Sequence, residues 1–293
     1  MTKNIGKSVR TRLLNLAREE KQEFMKVLVR YLHERLLFRI SASPYKRHFL
    51  LKGSSLLFAL DGFKARPTID IDLLGESINN DRENLREVFQ RILSVECKDD
   101  GVSFDGDSIE LIPIAVEKRY PGTCVKVKAY LDTIVQQVSV DIGFGDVVTP
   151  YPLSLDYPLL LPDIPAVELY AYSLETLIAE KFHAMVDRDG SNSRMKDFFD
   201  VYQLFTNHEI DREILAEAIV GTFRNRKTSY RDNLALFTTG FAEDAMRNVW
   251  WKAFLKKIRW KENIDFSDVM RCIRENLQEY WNDEILSNGD VAS

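Results

Sequence analysis

The chain has 293 residues, enough for one large domain or two modest ones with cores of their own. Hydrophobic residues make up 45% and charged residues 29%, and the net charge is −5, which fits an ordinary globular protein and excludes the overall basic balance of a nucleic-acid binder. Any contact with nucleic acid must therefore use a local patch. Cys97, Cys124 and Cys272 are far apart and odd in number, which excludes a disulfide framework and suggests reduced thiols in the cytoplasm. The four histidines lack zinc-ligand spacing, the segment "MTKNIGKSVRTRLLNLAREEK" has no apolar signal core, and no run approaches the ~18 apolar residues of a membrane span.

From about residue 8 to 41 the pattern is helical, with Leu13, Leu16, Phe24, Leu28, Tyr31, Leu32 and Leu36 recurring between polar residues such as Glu19, Glu20, Lys21 and Arg30. "SASPY" (41–45) ends it. Residues 53 to 62 read as a helix opened by Gly-Ser, 68 to 74 ("TIDIDLL") as a strand, and 80 to 94 as a helix. "IELIPIAVEKR" (109–119), "CVKVKAYL" (124–131) and "QQVSVDIGFGD" (136–146) alternate with period two and read as strands of one sheet. Residues 145 to 166 hold five of the nine prolines and read as a connection. From Ser173 onward the chain reads as helical, with turns near 189–193, 206–208 and 261–266. The expected organisation is an N-terminal helical arm (1–45), an α/β (α+β) core with a mixed sheet (46–165) and a C-terminal helical domain (166–293).

The chemistry concentrates in "FLLKGSSLLFALDGFKARPTIDIDLLGES" (49–77). On a strand, alternate side chains share a face, so Ile69, Ile71 and Leu73 point into a core while Asp70 and Asp72 point the other way, roughly 7 Å apart. Two carboxylates on one face repel each other, and a divalent cation removes that cost. Mg²⁺ takes carboxylate oxygens and keeps positions for substrate phosphates. Upstream, "GSS" opens an apolar helix, and a helix N-terminus offers free N–H groups and partial positive charge to a phosphate. Gly53 lets backbone approach closely and Ser54 adds a hydroxyl; Lys52 before them and Thr68 before Asp70 are further expected nucleotide-binding residues. In "VSVDIGFGD", Asp141 falls on the polar face of an apolar strand, where it could be a third metal carboxylate or a solvated edge residue.

Gly-Ser, then Asp-x-Asp, then a later strand aspartate resembles the nucleotidyltransferase (polymerase β-like) superfamily. "LLKGSSLLFALDGFKARPTIDIDLLG", "VDIGFGDVVTP", "SLETLIAEKFHAMVDR" and "SRMKDFFDVYQL", in that order, resemble the nucleotidyl transferase AbiEii/AbiGii toxin family across about residues 5 to 205. Fifteen residues separate Ser54 from Asp70, more than in many nucleotidyltransferases, and Gly-Ser stands where the family often has Gly-Gly. The resemblance implies a nucleotidyltransferase core followed by a helical domain, and Mg²⁺-dependent use of a nucleoside triphosphate. It also implies a toxin with a cognate antitoxin, and an RNA acceptor, with the 3′ end of tRNA as the expected target. It makes Asp70, Asp72 and Asp141 the metal carboxylates. Lys181 then contacts the triphosphate and Asp200 orients Lys181 or the base, with Asp197 as the alternative; Arg188 and Lys196 complete the nucleotide-binding set.

Read from the residues alone, Ser173 caps a helix whose buried stripe is Leu177, Ile178, Phe182 and Met185, with Lys181 and Arg188 on another face. Asp197 and Asp200, at i and i+3, share a face of the next helix, and the residues alone favour a solvated, salt-bridged helix pair. His183 reads as a structural helix residue. "FRNRKTSYR" (223–231) and "WWKAFLKKIRWK" (250–261) mix basic and aromatic residues that could grip RNA, or whose aromatics are core, with Trp250, Phe254 and Ile258 at four-residue steps. Other functions weighed against RNA modification are nucleotidyl transfer to a protein or small molecule, a metal-dependent glycosyltransferase, and a non-catalytic nucleotide- or RNA-binding module. The Gly-Ser helix and Lys181 argue against the glycosyltransferase, and three converging carboxylates against a module that only binds.

Overall fold

The computed structural model describes residues 4–116, 120–282 and 286. It divides into two compact units, one formed by 1–145 with 152–171, the other by 146–151 with 172–293.

The first unit holds the sheet. Its strands are β1 (Phe49–Lys52), β2 (Asp70–Gly75), β3 (Val102–Val116), β4 (Tyr120–Leu131), β5 (Ile134–Phe144), β6 (Leu153–Tyr157) and β7 (Val167–Ala171). They lie in the order β3-β4-β5-β2-β1-β7-β6. β2 pairs antiparallel with β1 and parallel with β5, so the sheet is mixed as expected and β2 is central. The strand expected at 109–119 is part of β3, and its last three residues lie outside the described ones. Strands β6 and β7 fall where a proline-rich connection and the start of the helical domain were expected. "VELYA" buries Val167, Leu169 and Ala171 on alternate positions, and β7 adds to the sheet beside β1 with Leu50 opposite Tyr170. The prolines lie before, between and around these strands, where no ladder N–H is needed.

Helices α1 (Ile5–Glu19), α2 (Phe24–Ser41), α3 (Gly53–Asp61) and α4 (Arg82–Leu93) complete the unit. The expected single helical stretch over 8–41 is two helices, broken at residues 20–23 where Lys21 takes φ 50°. α4 is amphipathic as read: Asp81 caps it by accepting from Asn84 N–H, and Leu85, Val88, Phe89 and Ile92 are buried. α2 differs from its sequence reading, because Arg30 and four other ionisable side chains on it (His33, Glu34, Arg35, Arg39) are buried with its leucines. The three arginines and Glu34 find partners, as buried charge must. Arg39 pairs with Asp100 at 2.8 Å, and Arg35 lies 2.8 Å from Glu34, which accepts from Leu160 N–H. Arg30 lies over the Phe58 and Phe63 rings at 4.1 and 5.0 Å and donates to the Gly62 and Ala65 carbonyls. Arg30 therefore ties the C-terminal end of α3 to α2.

The second unit is helical: α5 (Leu174–Arg188), α6 (Met195–Asn207), α7 (Arg212–Asn225), α8 (Thr239–Glu243), α9 (Ala245–Ile258) and α10 (Phe266–Leu277). Ser173 caps α5 by accepting from Thr176 N–H, and Leu177, Ile178, Phe182 and Met185 are buried as expected. His183 is structural here: Arg226 donates to its Nδ1 at 3.2 Å, and its Nε2 lies 2.7 Å from the Thr228 hydroxyl. Arg226 also pairs with Asp146, which joins the 146–151 segment to the helices.

Candidate active site

Two of the three strand-borne carboxylates meet through backbone register. β2 and β5 run parallel with Asp72 opposite Asp141 and Asp70 opposite Ser139. On the other side of β2, Lys52 is opposite Asp72, and across β5 Cys124 is opposite Asp141. Cross-strand partners share a face. Lys52, Asp72, Asp141 and Cys124 therefore form one transverse row over four strands, with Asp70 two residues along β2 on the same face. The opposite face is core: Ile71, Leu73, Val140 and Ile142 are all 1% exposed or less. Ile69 was expected to join them but is 77% exposed, because it precedes the first paired residue of β2.

The phosphate-binding expectation attaches to the start of α3. Gly53 takes φ 60°, and a Cβ there would collide with the Asp72 carboxylate. The sharp β1-to-α3 turn puts Ser54 N–H 3.2 Å from Asp72 Oδ2. Lys52, the N-cap residue, gives no side-chain cap, so Asp72 is the anion that meets this positively polarised terminus. The hydroxyls of Ser55 and Thr68 both donate to the Asp70 carbonyl, at 3.4 and 3.2 Å, and so hold the entry to β2.

Sequence reasoning missed Cys124. Burial and the neighbouring Asp141 push its thiol up to about 12, so it stays protonated and can donate to that carboxylate. Its position in an alternating strand put it on the polar face of β4, but only the register set it beside Asp141.

The donor chemistry suits a hard divalent cation, since the carboxylates supply oxygens on one sheet face. Among the described residues no group of three or more His, Cys, Asp or Glu side chains is gathered as a metal cage. Asp72 directs one oxygen to α3. Register fixes the backbone positions of the carboxylates, while side-chain torsions set where their oxygens stand.

The later-motif residues lie in the second unit. Lys181 is 8% exposed, and its ammonium donates to Asp200 Oδ2 at 2.6 Å and to Asp197 Oδ1 at 3.3 Å. Arg194 Nε lies 2.9 Å from the other Asp197 oxygen. Both carboxylates left open as partners of Lys181 thus reach it, Asp200 more closely. Lys196 is exposed on α6, and Arg188 is half-buried near the end of α5.

The family described as nucleotidyl transferase AbiEii toxin, of type IV toxin–antitoxin systems, matches residues 35–271. The chain belongs to the AbiEii nucleotidyl transferase toxin family. It is thus a nucleotidyltransferase, and its family implies a nucleoside triphosphate substrate and an antitoxin partner. A crystal structure of an H. pylori protein described as a nucleotidyltransferase is 13% identical, with TM-score 0.48, over 91% of this chain and 98% of that one. The structure of JHP933 from Helicobacter pylori is 14% identical, with TM-score 0.46, over 89% and 94%. No curated protein matches the chain. Among the described residues of this AbiEii-family chain, no helix is long and apolar enough to cross a membrane.

Proposed function

We propose that this AbiEii-family chain moves a nucleoside monophosphate from a triphosphate to an RNA acceptor, the 3′ end of tRNA, with Mg²⁺, as a cytoplasmic toxin. The observation that carries the transfer reading is the row in which Asp72 faces Asp141 in register, with Asp70 on the same face and the N-terminus of α3 against Asp72. The RNA acceptor, the cytoplasmic location and the pairing with an antitoxin rest on the family resemblance.

In this reading an acceptor hydroxyl oxygen forms a bond to the α-phosphorus. The bond from that phosphorus to the α–β bridging oxygen breaks, pyrophosphate leaves with the electron pair, and the hydroxyl proton passes to water. Asp70, Asp72 and Asp141 would hold Mg²⁺, which neutralises the carboxylates and stabilises the phosphoryl oxygens. Ser54 N–H and the first turn of α3 would bind a phosphate where they now meet Asp72. Gly53 keeps the space between that turn and Asp72 clear. Lys52, facing Asp72 across the ladder, offsets part of the carboxylate charge. A triphosphate contact by Lys181, in the second unit, rests on the family resemblance; its ammonium is paired with Asp200 and Asp197.

The test is incubation of the full chain with α-labelled triphosphates, Mg²⁺ and total RNA. Label is expected in the tRNA fraction with wild-type protein. Asp72→Asn is expected to lose at least about 10²-fold in rate, the scale of other preorganised electrostatic groups, while keeping its circular dichroism and melting temperature. Turnover retained by folded Asp72→Asn would remove Asp72 from the reaction, and label in protein instead would replace the acceptor.

A further inference from the structure

We infer that the outward face of α9 is a binding surface for single-stranded nucleic acid. The helix carries apolar residues on two faces. The inner one is anchored by Trp251, which is 1% exposed, donates from Nε1 to the Ile264 carbonyl at 2.7 Å, and packs near the rings of Phe199, Phe254 and Phe266. Each residue advances the helix by about 100°, so the neighbour Trp250 turns away from that core. Met246, Val249 and Trp250, at i, i+3 and i+4, are 56%, 59% and 39% exposed and form an outward stripe, continued by exposed Ala253.

Charge sorts with this stripe. Residues 245–261 contain Arg247, Lys252, Lys256, Lys257, Arg259 and Lys261 and no Asp or Glu, within a chain whose net charge is −5. Arg247 is committed inward, over the Phe241 ring at 4.0 Å. The other five are exposed. Among the described residues, Lys252, Lys256, Lys257 and Lys261 enter no ion pair, so their charge is not used to hold the unit together. Lys257, at i+7, shares the face of Trp250, and Lys252 and Lys256 border the stripe on its Val249 side, an arrangement that fits a chain of phosphates carrying stackable bases. A bilayer would call for a broader apolar face than three large residues. An acidic protein segment would use the lysines but has no particular need of the indole.

The inference extends the proposed RNA acceptor, but its measurement uses no nucleotide and no transfer, so the two can fail separately. Fluorescence anisotropy of a labelled 12-nucleotide single-stranded RNA is followed with the full chain between 50 and 200 mM salt. Lys252→Glu/Lys256→Glu/Lys257→Glu is expected to weaken binding at least about tenfold and to reduce the slope of log K against log salt by about 2, the loss of three phosphate contacts. Trp250→Ala is expected to weaken it about fivefold or more with the salt slope kept, and Trp250→Phe to restore most of it. All four positions are on the surface, and melting temperatures check that the variants fold. Wild-type affinity in the triple variant or in Trp250→Ala overturns the inference. So does displacement of the RNA by polyglutamate at equal charge, or tighter binding of anionic vesicles through the same lysines.

Discussion

At the scale of single residues, Gly53 has the narrowest tolerance in the candidate active site. Its φ of 60° lies where an L side chain is strained by about 1–2 kcal/mol, and a Cβ would displace the Asp72 carboxylate. Gly53→Ala is therefore expected to lower the melting temperature by a few degrees, and to cut transfer by tenfold or more because Asp72 must move. A melting curve and the labelled-triphosphate assay measure these separately; full activity in the variant would mean that the turn does not position Asp72. His33, buried on α2, makes a pH-dependent contribution. Burial holds its imidazole down at about 4 instead of the ordinary 6.5, against a backbone hydrogen bond with Ile69 that favours the charged form. Between those values the unfolded chain binds more protons than the folded one, so stability falls as pH drops from about 6.5 to about 4. Glu34 acts in the opposite sense. Burial pushes it up to about 7, so its ionisation destabilises the fold as pH rises from about 4.5 to 7. Glu34 is common to wild type and His33→Gln, so comparing their melting temperatures across pH 4 to 7 isolates the imidazole. The wild type is expected to lose on the order of 3 kcal/mol more than the variant on the acid side; parallel profiles would show that His33 does not titrate this way.

At the scale of elements, the sequence reading succeeded where one pattern had one interpretation. The helix of 82–93, the strands β4 and β5, and the buried stripe of α5 all follow hydrophobic period. It failed where two interpretations shared a pattern. "WWKAFLKKIRW" puts an aromatic at each of two adjacent positions, and the four-residue steps 250, 254, 258 fit as well as 251, 254–255, 258; packing against Phe199 and Phe266 chose the second. Trp251→Ala is accordingly expected to destabilise the helical unit by about 3–5 kcal/mol, and Trp250→Ala by less than about 1 kcal/mol. Urea unfolding followed by circular dichroism compares them, and equal costs would reverse the assignment of the two faces. The strands β6 and β7 were hidden for a different reason. They are short and lie among prolines; β7 pairs beside β1, a contact about 120 residues away in sequence, and β6 pairs on β7.

At the scale of the whole molecule, the relevant property is that of a family of toxins. If transfer is the source of toxicity, expression of the wild-type chain without its antitoxin should slow bacterial growth, and the Asp70→Ala form should not. Growth curves at matched protein levels check this; equal slowing by both forms would assign toxicity to something other than nucleotidyl transfer. Three parts were expected, a helical arm, an α/β core and a helical domain; the chain divides into two compact units. In this division the N-terminal helices count with the sheet, since buried pairs such as Arg39–Asp100 hold α2 to residues around β3.

By itself the sequence determined the chemistry available to this protein. Asp70 and Asp72 had to share a face because strand side chains alternate, and Gly53-Ser54 at the head of an apolar run had to open a helix whose first N–H groups lack helical partners. Ser173 as a cap and His183 as a structural residue were legible for similarly local reasons. Tertiary structure alone decided which distant residues join that chemistry. The parallel register of β2 and β5 brought Asp141 opposite Asp72, the antiparallel register of β4 added Cys124, and the packing of α5 on α6 gave Lys181 both Asp200 and Asp197. The division has a physical cause. Backbone geometry repeats over two to four residues and leaves its period in the sequence, whereas register and side-chain pairing are set by contacts between segments that the chain brings together only on folding.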